Sequence, residues 1–207
     1  DYGWVGRALA AEGFLAVAPD YRLYPEVTYP DFLTDGALAV AWAVENAARY
    51  GGDPQRIVLI GHSAGAYNAV MLGLDETYLR EAGVDPDRIR AVAGLAGPYD
   101  FLPLEGETTQ AVFGGAPDLD ATQPVHQVSA AAPPVFLATG DSDTVVRPRN
   151  TEALASALRQ GGVMVETRVY PDLGHAGVLL ALSRPFRGRA PVLEEMTAFL
   201  KAQTRAG

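Results

Sequence analysis

Residues 57–65 read Ile-Val-Leu-Ile-Gly-His-Ser-Ala-Gly, and this stretch decides the fold. Its four leading apolar residues are typical of a buried strand, and apolar helical spacing follows over 64–74 without an intervening loop. Ser63 therefore stands at a sharp turn from strand to helix. Gly61 and Gly65 flank it, and we expect both positions to require glycine because a side chain there would collide with the turn. The alternative is a glycine-rich turn in which Ser63 only caps the helix.

Strands and helices alternate on both sides of this turn. Apolar runs predict strands over 14–18, 57–60, 89–95, 135–139 and 163–170, and helical spacing predicts helices near 4–9, 30–50, 64–74, 150–160 and 191–203. Such alternation is typical of the α/β class, with a mostly parallel sheet and helices on both faces. Residues 98–132 lack periodicity and are interpreted as loops and short helices that shape a pocket. With no repeat or linker, we expect one domain over residues 1–207.

The amino-acid composition argues against several classes of function. The 207 residues carry a net charge of -9, which argues against a nucleic-acid or anionic-membrane surface and favours a small neutral substrate. The absence of cysteine excludes disulfides, thiolate metal sites and a cysteine nucleophile. No phosphate-binding loop, dinucleotide fingerprint or metal-ligand spacing occurs, so we expect no cofactor. With neither a leader nor an apolar run of membrane length, we expect a cytoplasmic protein, and a homo-oligomer is possible.

A serine hydroxyl is a weak nucleophile that needs a base, usually a histidine held by a carboxylate. Three histidines are available. His62 adjoins Ser63 and points elsewhere, so we expect it to pack, to form a hydrogen bond or to line the pocket. His126 lies in the irregular stretch, where a surface position is expected. His175 follows the last strand, at the edge of a parallel sheet where ligands bind, and is the candidate base.

The carboxylate partner of the base is expected between Ser63 and His175 in the chain, directly after a strand. Asp141 and Asp143 both follow the strand at 135–139. Asp143 lies further along the loop and has more reach, whereas Asp141 is typical of a residue that forms a turn. Asp172 is a second candidate, although its position three residues before the base suits a local turn.

Two further groups complete the candidate site. The N–H of Ala64 begins the helix after Ser63 and points where an oxyanion would form. Tyr99 follows the strand at 89–95 and is a possible lining residue of the pocket.

Taken together, these segments resemble α/β-hydrolase esterases related to the hormone-sensitive-lipase and feruloyl-esterase-like carboxylesterases. The resemblance rests on Ala-Pro-Asp-Tyr-Arg-Leu at 18–23, Tyr-Gly-Gly-Asp-Pro at 50–54, Gly-His-Ser-Ala-Gly at 61–65, the loop at 140–146 and Gly-His at 174–175. It implies an α/β-hydrolase fold and hydrolysis of carboxylic esters through an acyl-enzyme. It also implies a triad acid three residues after Gly140, at Asp143, and a base at His175. Residues 97–104 are similar to a segment of arylformamidases.

One part of that family's pattern is missing. Its members begin with further strands and a His-Gly-Gly oxyanion loop, and neither precedes the helix that opens this chain. We therefore expect the domain to be N-terminally incomplete, with the true N-terminus upstream of Asp1. Three functions remain open: ester hydrolysis, amide or peptide hydrolysis of the arylformamidase kind on the same triad, and a binding module that has lost its chemistry.

Overall fold

Four parallel strands form the centre of the molecule in a computed structural model that describes residues 2–205. The strands are β1 (Ile57–His62), β2 (Ile89–Leu95), β3 (Val135–Gly140) and β4 (Val165–Tyr170), and they lie in that order across the sheet. The predicted parallel sheet is confirmed. β4, where polar and apolar residues alternate, lies at one edge, and β1 lies at the other.

Eight α-helices surround the sheet within the described residues. They are α1 (Gly3–Ala11), α2 (Asp31–Asn46), α3 (Ala64–Leu74), α4 (Glu76–Glu81), α5 (Glu107–Phe113), α6 (Arg149–Gln160), α7 (His175–Leu180) and α8 (Val192–Gln203). The helix predicted over 30–50 ends as a single 3-10 turn at Ala47–Tyr50, where Gly51 adopts a left-handed conformation with φ 82°. Glycine adopts this conformation without steric cost.

Two apolar layers, one on each face of the sheet, confirm that helices cover both sides. Ala91, Ala93 and Leu95 of β2 face the layer formed with α1, α7 and α8. Val92, the intervening residue, faces the layer formed with α2, α3, α4 and α6. This alternation follows from the two-residue repeat of a strand, and it buries β2 on both sides.

The register brings the carboxyl ends of the strands to one edge. His62 pairs with Leu95, Leu95 with Ala138, and Gly140 with Tyr170. The loops that follow β1, β3 and β4 therefore emerge at the same edge of the sheet, although they are far apart in the sequence.

The prediction of a strand over residues 14–18 is wrong. The segment alternates as a strand would, with Phe14 and Ala16 packed on the core while Leu15 and Val17 are each 44% exposed. It pairs with no strand of the described sheet, and a groove of about 890 Å³ is lined both by this segment and by β1. A strand is stabilised by a hydrogen-bonded neighbour, and this segment has none among residues 2–205.

The stretch at 98–132 is irregular, as predicted. It contains the short helix α5 and single 3-10 turns at Asp120–Thr122 and Pro124–His126. Its Phe101 and Phe113 contact Tyr67 of α3, with ring centroids 5.9 and 5.5 Å away. Aromatic contacts therefore fix this stretch to the helix that follows Ser63.

Among the described helices, none combines the length and apolarity that crossing a membrane requires.

Candidate active site

Ser63 occupies the turn between β1 and α3 in a strained conformation. Its φ of 55° and ψ of -124° are unusual for a residue other than glycine and cost about 1–3 kcal/mol. Hydrogen bonds on both sides hold it there: its N–H donates to the carbonyl of Leu95 over 2.9 Å, and its carbonyl accepts from the N–H of Ala66 over 2.9 Å. The neighbouring strand and the new helix together impose the conformation of this residue.

The two glycines that flank Ser63 are not equivalent. A Cβ at Gly61 would lie 2.0 Å from the carbonyl oxygen of Gly65, so this position has no room for a side chain. A Cβ at Gly65 would meet no described atom within 4 Å. The expectation that the turn requires glycine at both positions is therefore wrong for Gly65, which faces the groove beside β1.

The structure brings three sequence-predicted side chains into one hydrogen-bonded chain. His175, the first residue of α7, places Nε2 2.8 Å from Oγ of Ser63 and Nδ1 2.8 Å from Oδ2 of Asp143. These residues follow β4, β1 and β3, whose carboxyl ends lie at the same edge of the sheet. The side chain of His175 is 18% exposed, whereas that of Asp143 is fully buried.

Both oxygens of Asp143 have partners. Oδ1 accepts hydrogen bonds from the backbone N–H groups of Val145 and Val146, each over 2.9 Å, while Oδ2 contacts His175. The loop therefore fixes the carboxylate plane and directs one oxygen at the imidazole. Each buried oxygen is satisfied, as burial of a carboxylate requires.

Asp141, considered for the same position, has other partners. Oδ1 of Asp141 accepts from the hydroxyl of Ser142 and from the N–H of Asp172, each over 2.9 Å. Asp172 itself adopts a left-handed conformation with φ 57°. Asp141 therefore joins the loop after β3 to the loop that carries His175, in keeping with its predicted turn-forming role.

The remaining histidines occupy different environments. His62 is partly buried, its Nε2 lies 3.0 Å from the carbonyl oxygen of His175, and the two rings are 4.8 Å apart between centroids. Burial lowers the pKa of His62 below its ordinary value and outweighs the hydrogen bond to the His175 carbonyl and the Asp143 carboxylate, which both raise it; the His175 ring has a smaller lowering effect. His126 is exposed in a 3-10 turn, as predicted.

Of the two further candidate site residues, Ala64 lies beside Ser63 and Tyr99 is buried in the core. Ala64 is the first residue of α3, so its N–H has no acceptor within the helix and lies directly beside Ser63. Tyr99, expected as a possible lining residue of the pocket, is fully buried in the core layer on the α3 side. A Cβ at Gly94 of β2 would lie 2.1 Å from the Tyr99 hydroxyl oxygen. The bare glycine therefore admits the ring, and Tyr99 cannot line an open pocket.

The profile of the family described as BD-FAE matches residues 2–158, which include Ser63 and Asp143. The chain belongs to the BD-FAE family. His175 lies beyond the matched range, so its place beside Ser63 rests on the distances given above.

Relatives of this BD-FAE member carry esterase names. It is 30% identical to a probable isoprenylcysteine alpha-carbonyl methylesterase of Oryza sativa subsp. japonica, across 96% of this chain and 52% of that protein. It is 32% identical to esterase LipQ of Mycobacterium tuberculosis (strain ATCC 25618 / H37Rv), across 91% of this chain and 48% of that protein. The chain thus spans about half the length of these relatives.

Solved structures establish the fold of this BD-FAE member. A truncated form of a carbohydrate esterase from gut microbiota superimposes on 97% of the chain with a TM-score of 0.84 and 22% identity, and the match covers 78% of that protein. The carboxylesterase Cest-2923 of Lactobacillus plantarum WCFS1 superimposes on 98% of the chain with a TM-score of 0.79 and 20% identity, over 80% of that protein. The expected α/β-hydrolase fold is confirmed.

Sequence reasoning missed two buried amides that shape the loop after β2 in this BD-FAE member. Oδ1 of Asn150 accepts from the N–H groups of Tyr99 and Asp100, and Oε1 of Gln123 accepts from the N–H of Phe101. In the sequence, each is an ordinary polar residue in the first turn of a helix or in a loop. Their role depends on contacts across 22 to 51 residues, which no local pattern reveals.

Proposed function

We propose that this chain carries the catalytic residues of a serine hydrolase that cleaves carboxylic esters through an acyl-enzyme. One observation carries the proposal: two 2.8 Å hydrogen bonds link Ser63, His175 and Asp143 at a strained turn between strand and helix. The esterase names of relatives that align with at least nine-tenths of the chain support the same reaction class.

The donor in each of these two hydrogen bonds is fixed by the carboxylate of Asp143. A carboxylate can only accept, so Nδ1 of His175 carries the proton that is donated to Asp143. Nε2 then has a free lone pair and accepts the hydroxyl proton of Ser63. This is the tautomer that a general base needs, and the two backbone N–H groups on Asp143 keep the carboxylate aimed at Nδ1.

The reaction then proceeds in two halves. Oγ of Ser63 attacks the ester carbonyl carbon while Nε2 of His175 takes the hydroxyl proton. The oxyanion that forms accepts a hydrogen bond from the N–H of Ala64. The carbon–oxygen bond to the alcohol breaks, and the alcohol leaves with the proton from His175. Water then attacks the acyl carbonyl carbon while Nε2 of His175 takes a proton from it. His175 returns this proton to Oγ of Ser63 as the carboxylic acid is released.

Hydrolysis of p-nitrophenyl acetate by the whole chain tests this proposal. We expect turnover by the wild-type chain and a loss of roughly 1,000-fold or more in Ser63→Ala and His175→Gln, because the nucleophile and its base act as a unit. The matched control is His126→Gln, which changes an exposed histidine and should retain full turnover. A folded wild-type chain with no more activity than Ser63→Ala would contradict the proposal.

Amide hydrolysis uses the same triad with a different leaving group, and residues 97–104 resemble a segment of arylformamidases. Comparison of kcat/KM for p-nitrophenyl acetate, N-formylkynurenine and an amino-acid p-nitroanilide separates the two reactions. We expect the ester to have the highest value. A higher value for N-formylkynurenine would favour the arylformamidase reaction instead.

A further inference from the structure

We propose that His62 is a positioning residue for His175, which it holds from the backbone side as a neutral imidazole protonated on Nε2. This inference rests on the proposed function, in which His175 is the base. It assigns to the residue before the nucleophile a role separate from packing: it fixes the place from which the base acts.

The hydrogen bond defines which nitrogen of His62 carries a proton. Nε2 lies 3.0 Å from the carbonyl oxygen of His175, and a carbonyl oxygen can only accept. Nε2 of His62 is therefore the donor, and in a neutral ring Nδ1 carries no proton. His62 and His175 thus have opposite tautomers: Nε2–H in His62 and Nδ1–H in His175.

The start of α7 explains why the base needs this support. His175 is the first residue of a six-residue helix, and the N-cap, Gly174, provides no side-chain hydrogen bond. Asp143 and Ser63 restrain only the imidazole ring. The bond from His62 restrains the backbone of residue 175 and ties it to the last residue of β1, directly before Ser63.

The charge state of His62 suits this contact. Its ring centroid lies 4.8 Å from that of His175, and Asp143, on the loop after β3, is the carboxylate that acts on it electrostatically. During the reaction His175 becomes positively charged, and a second positive ring beside it would oppose that step. Burial lowers the pKa of His62 despite the opposing effects of this hydrogen bond and of Asp143, and so favours the neutral ring.

The chain has three histidines, so nitrogen-15 NMR of histidine-labelled protein can examine each ring directly. We expect His62 to show the Nε2–H tautomer and to stay neutral as the pH falls to 6.5, the ordinary pKa of a histidine, with His126→Gln used for assignment. An Nδ1–H tautomer at His62, or protonation of its ring at or above the ordinary value of 6.5, would overturn the inference. This measurement needs no enzymatic activity.

Two substitutions separate the hydrogen bond from the ring contact. His62→Gln keeps a donor at a similar distance along the side chain, whereas His62→Phe keeps a ring and loses the donor. The readout is the downfield Nδ1 proton of His175 in its bond to Asp143, observed in variants whose circular dichroism and thermal unfolding establish that they are folded. We expect this resonance to persist in His62→Gln and to broaden or vanish in His62→Phe. Persistence in both variants, or loss in both, would overturn the inference.

Phosphonylation of Ser63 measures the consequence for the reaction. We expect the maximal rate of inactivation by a fluorophosphonate to fall roughly 10- to 100-fold in His62→Phe, since a small displacement of the base is costly. The half-saturating probe concentration should stay unchanged, and His62→Gln should recover most of the rate. An unchanged maximal rate in His62→Phe would overturn the inference. Failure of the wild-type chain to react would count against the proposed function, whereas the NMR results would still decide the role of His62.

Discussion

Asp141 and Asp143 lie two residues apart in one loop, yet their carboxylates contact different parts of the molecule. Asp143 is buried and divides its oxygens between His175 and the loop backbone. Asp141 is exposed and bonds to Ser142 and to the N–H of Asp172. The two carboxylates therefore have different roles because the loop directs their side chains to different parts of the molecule.

Replacing each aspartate with asparagine separates these uses. We expect Asp143→Asn to lower kcat for p-nitrophenyl acetate by roughly 1,000- to 10,000-fold, because an amide NH₂ facing Nδ1 would favour the wrong tautomer of His175. Asp141→Asn keeps an oxygen that can accept both of its hydrogen bonds, so its kcat should stay within about threefold of wild type. Equal losses in the two variants would contradict the assigned roles.

At the scale of elements, the turn between β1 and α3 depends on a close approach of two backbones. Gly61 at the end of the strand packs directly against the carbonyl of Gly65 in the first turn of the helix. This contact holds the helix against the strand end, where Ser63 has its strained, positive φ. The strain at Ser63 is thus maintained by the packing of two elements, not by Ser63 alone.

Alanine at each of the two glycines tests this asymmetry. We expect Gly61→Ala to lower the free energy of unfolding by about 3 kcal/mol or more, because its Cβ would overlap backbone atoms that cannot move aside. Gly65→Ala has open space for its methyl group and should change the free energy of unfolding by at most about 1 kcal/mol. Urea denaturation of both variants measures the difference. Similar losses would show that the flanking glycines are equivalent after all.

At the scale of the whole molecule, the sequence predicted the site because parallel strands place their carboxyl ends at one edge. Ser63, Asp143 and His175 each follow a predicted strand, and this rule places all three at that edge; the reach of the loop and the family resemblance favoured Asp143 over Asp141. Whether residues 14–18 form a strand could not be predicted from their own pattern, since a strand needs a hydrogen-bonded neighbouring strand. The inward orientation of Tyr99 depends on the space at Gly94, and the contact between His62 and His175 depends on residues 113 positions apart. Local patterns contain none of this information.

The lowered pKa of His62 also predicts how the stability of the molecule varies with pH. The unfolded chain binds a proton at His62 near the ordinary value of 6.5, whereas the folded chain binds it only at lower pH. Its contribution to stability is therefore fully present above that value and is lost as the pH falls through the folded pKa.

We expect the free energy of unfolding to fall more steeply from about pH 8 to about pH 5 in wild type than in His62→Gln, whose side chain does not titrate. Urea denaturation at several pH values measures both curves, and the shared titration of other groups cancels in their difference. Parallel curves would indicate that His62 has an ordinary pKa in the folded chain.

In the proposed function, the fold presents Ser63 as an activated nucleophile. Treatment of the folded chain with a fluorophosphonate, followed by peptide mapping by mass spectrometry, tests this most directly. We predict a single stoichiometric adduct on Ser63, abolished in Ser63→Ala and strongly slowed in His175→Gln. A folded chain that forms no adduct, or forms one on another residue, would contradict the claim.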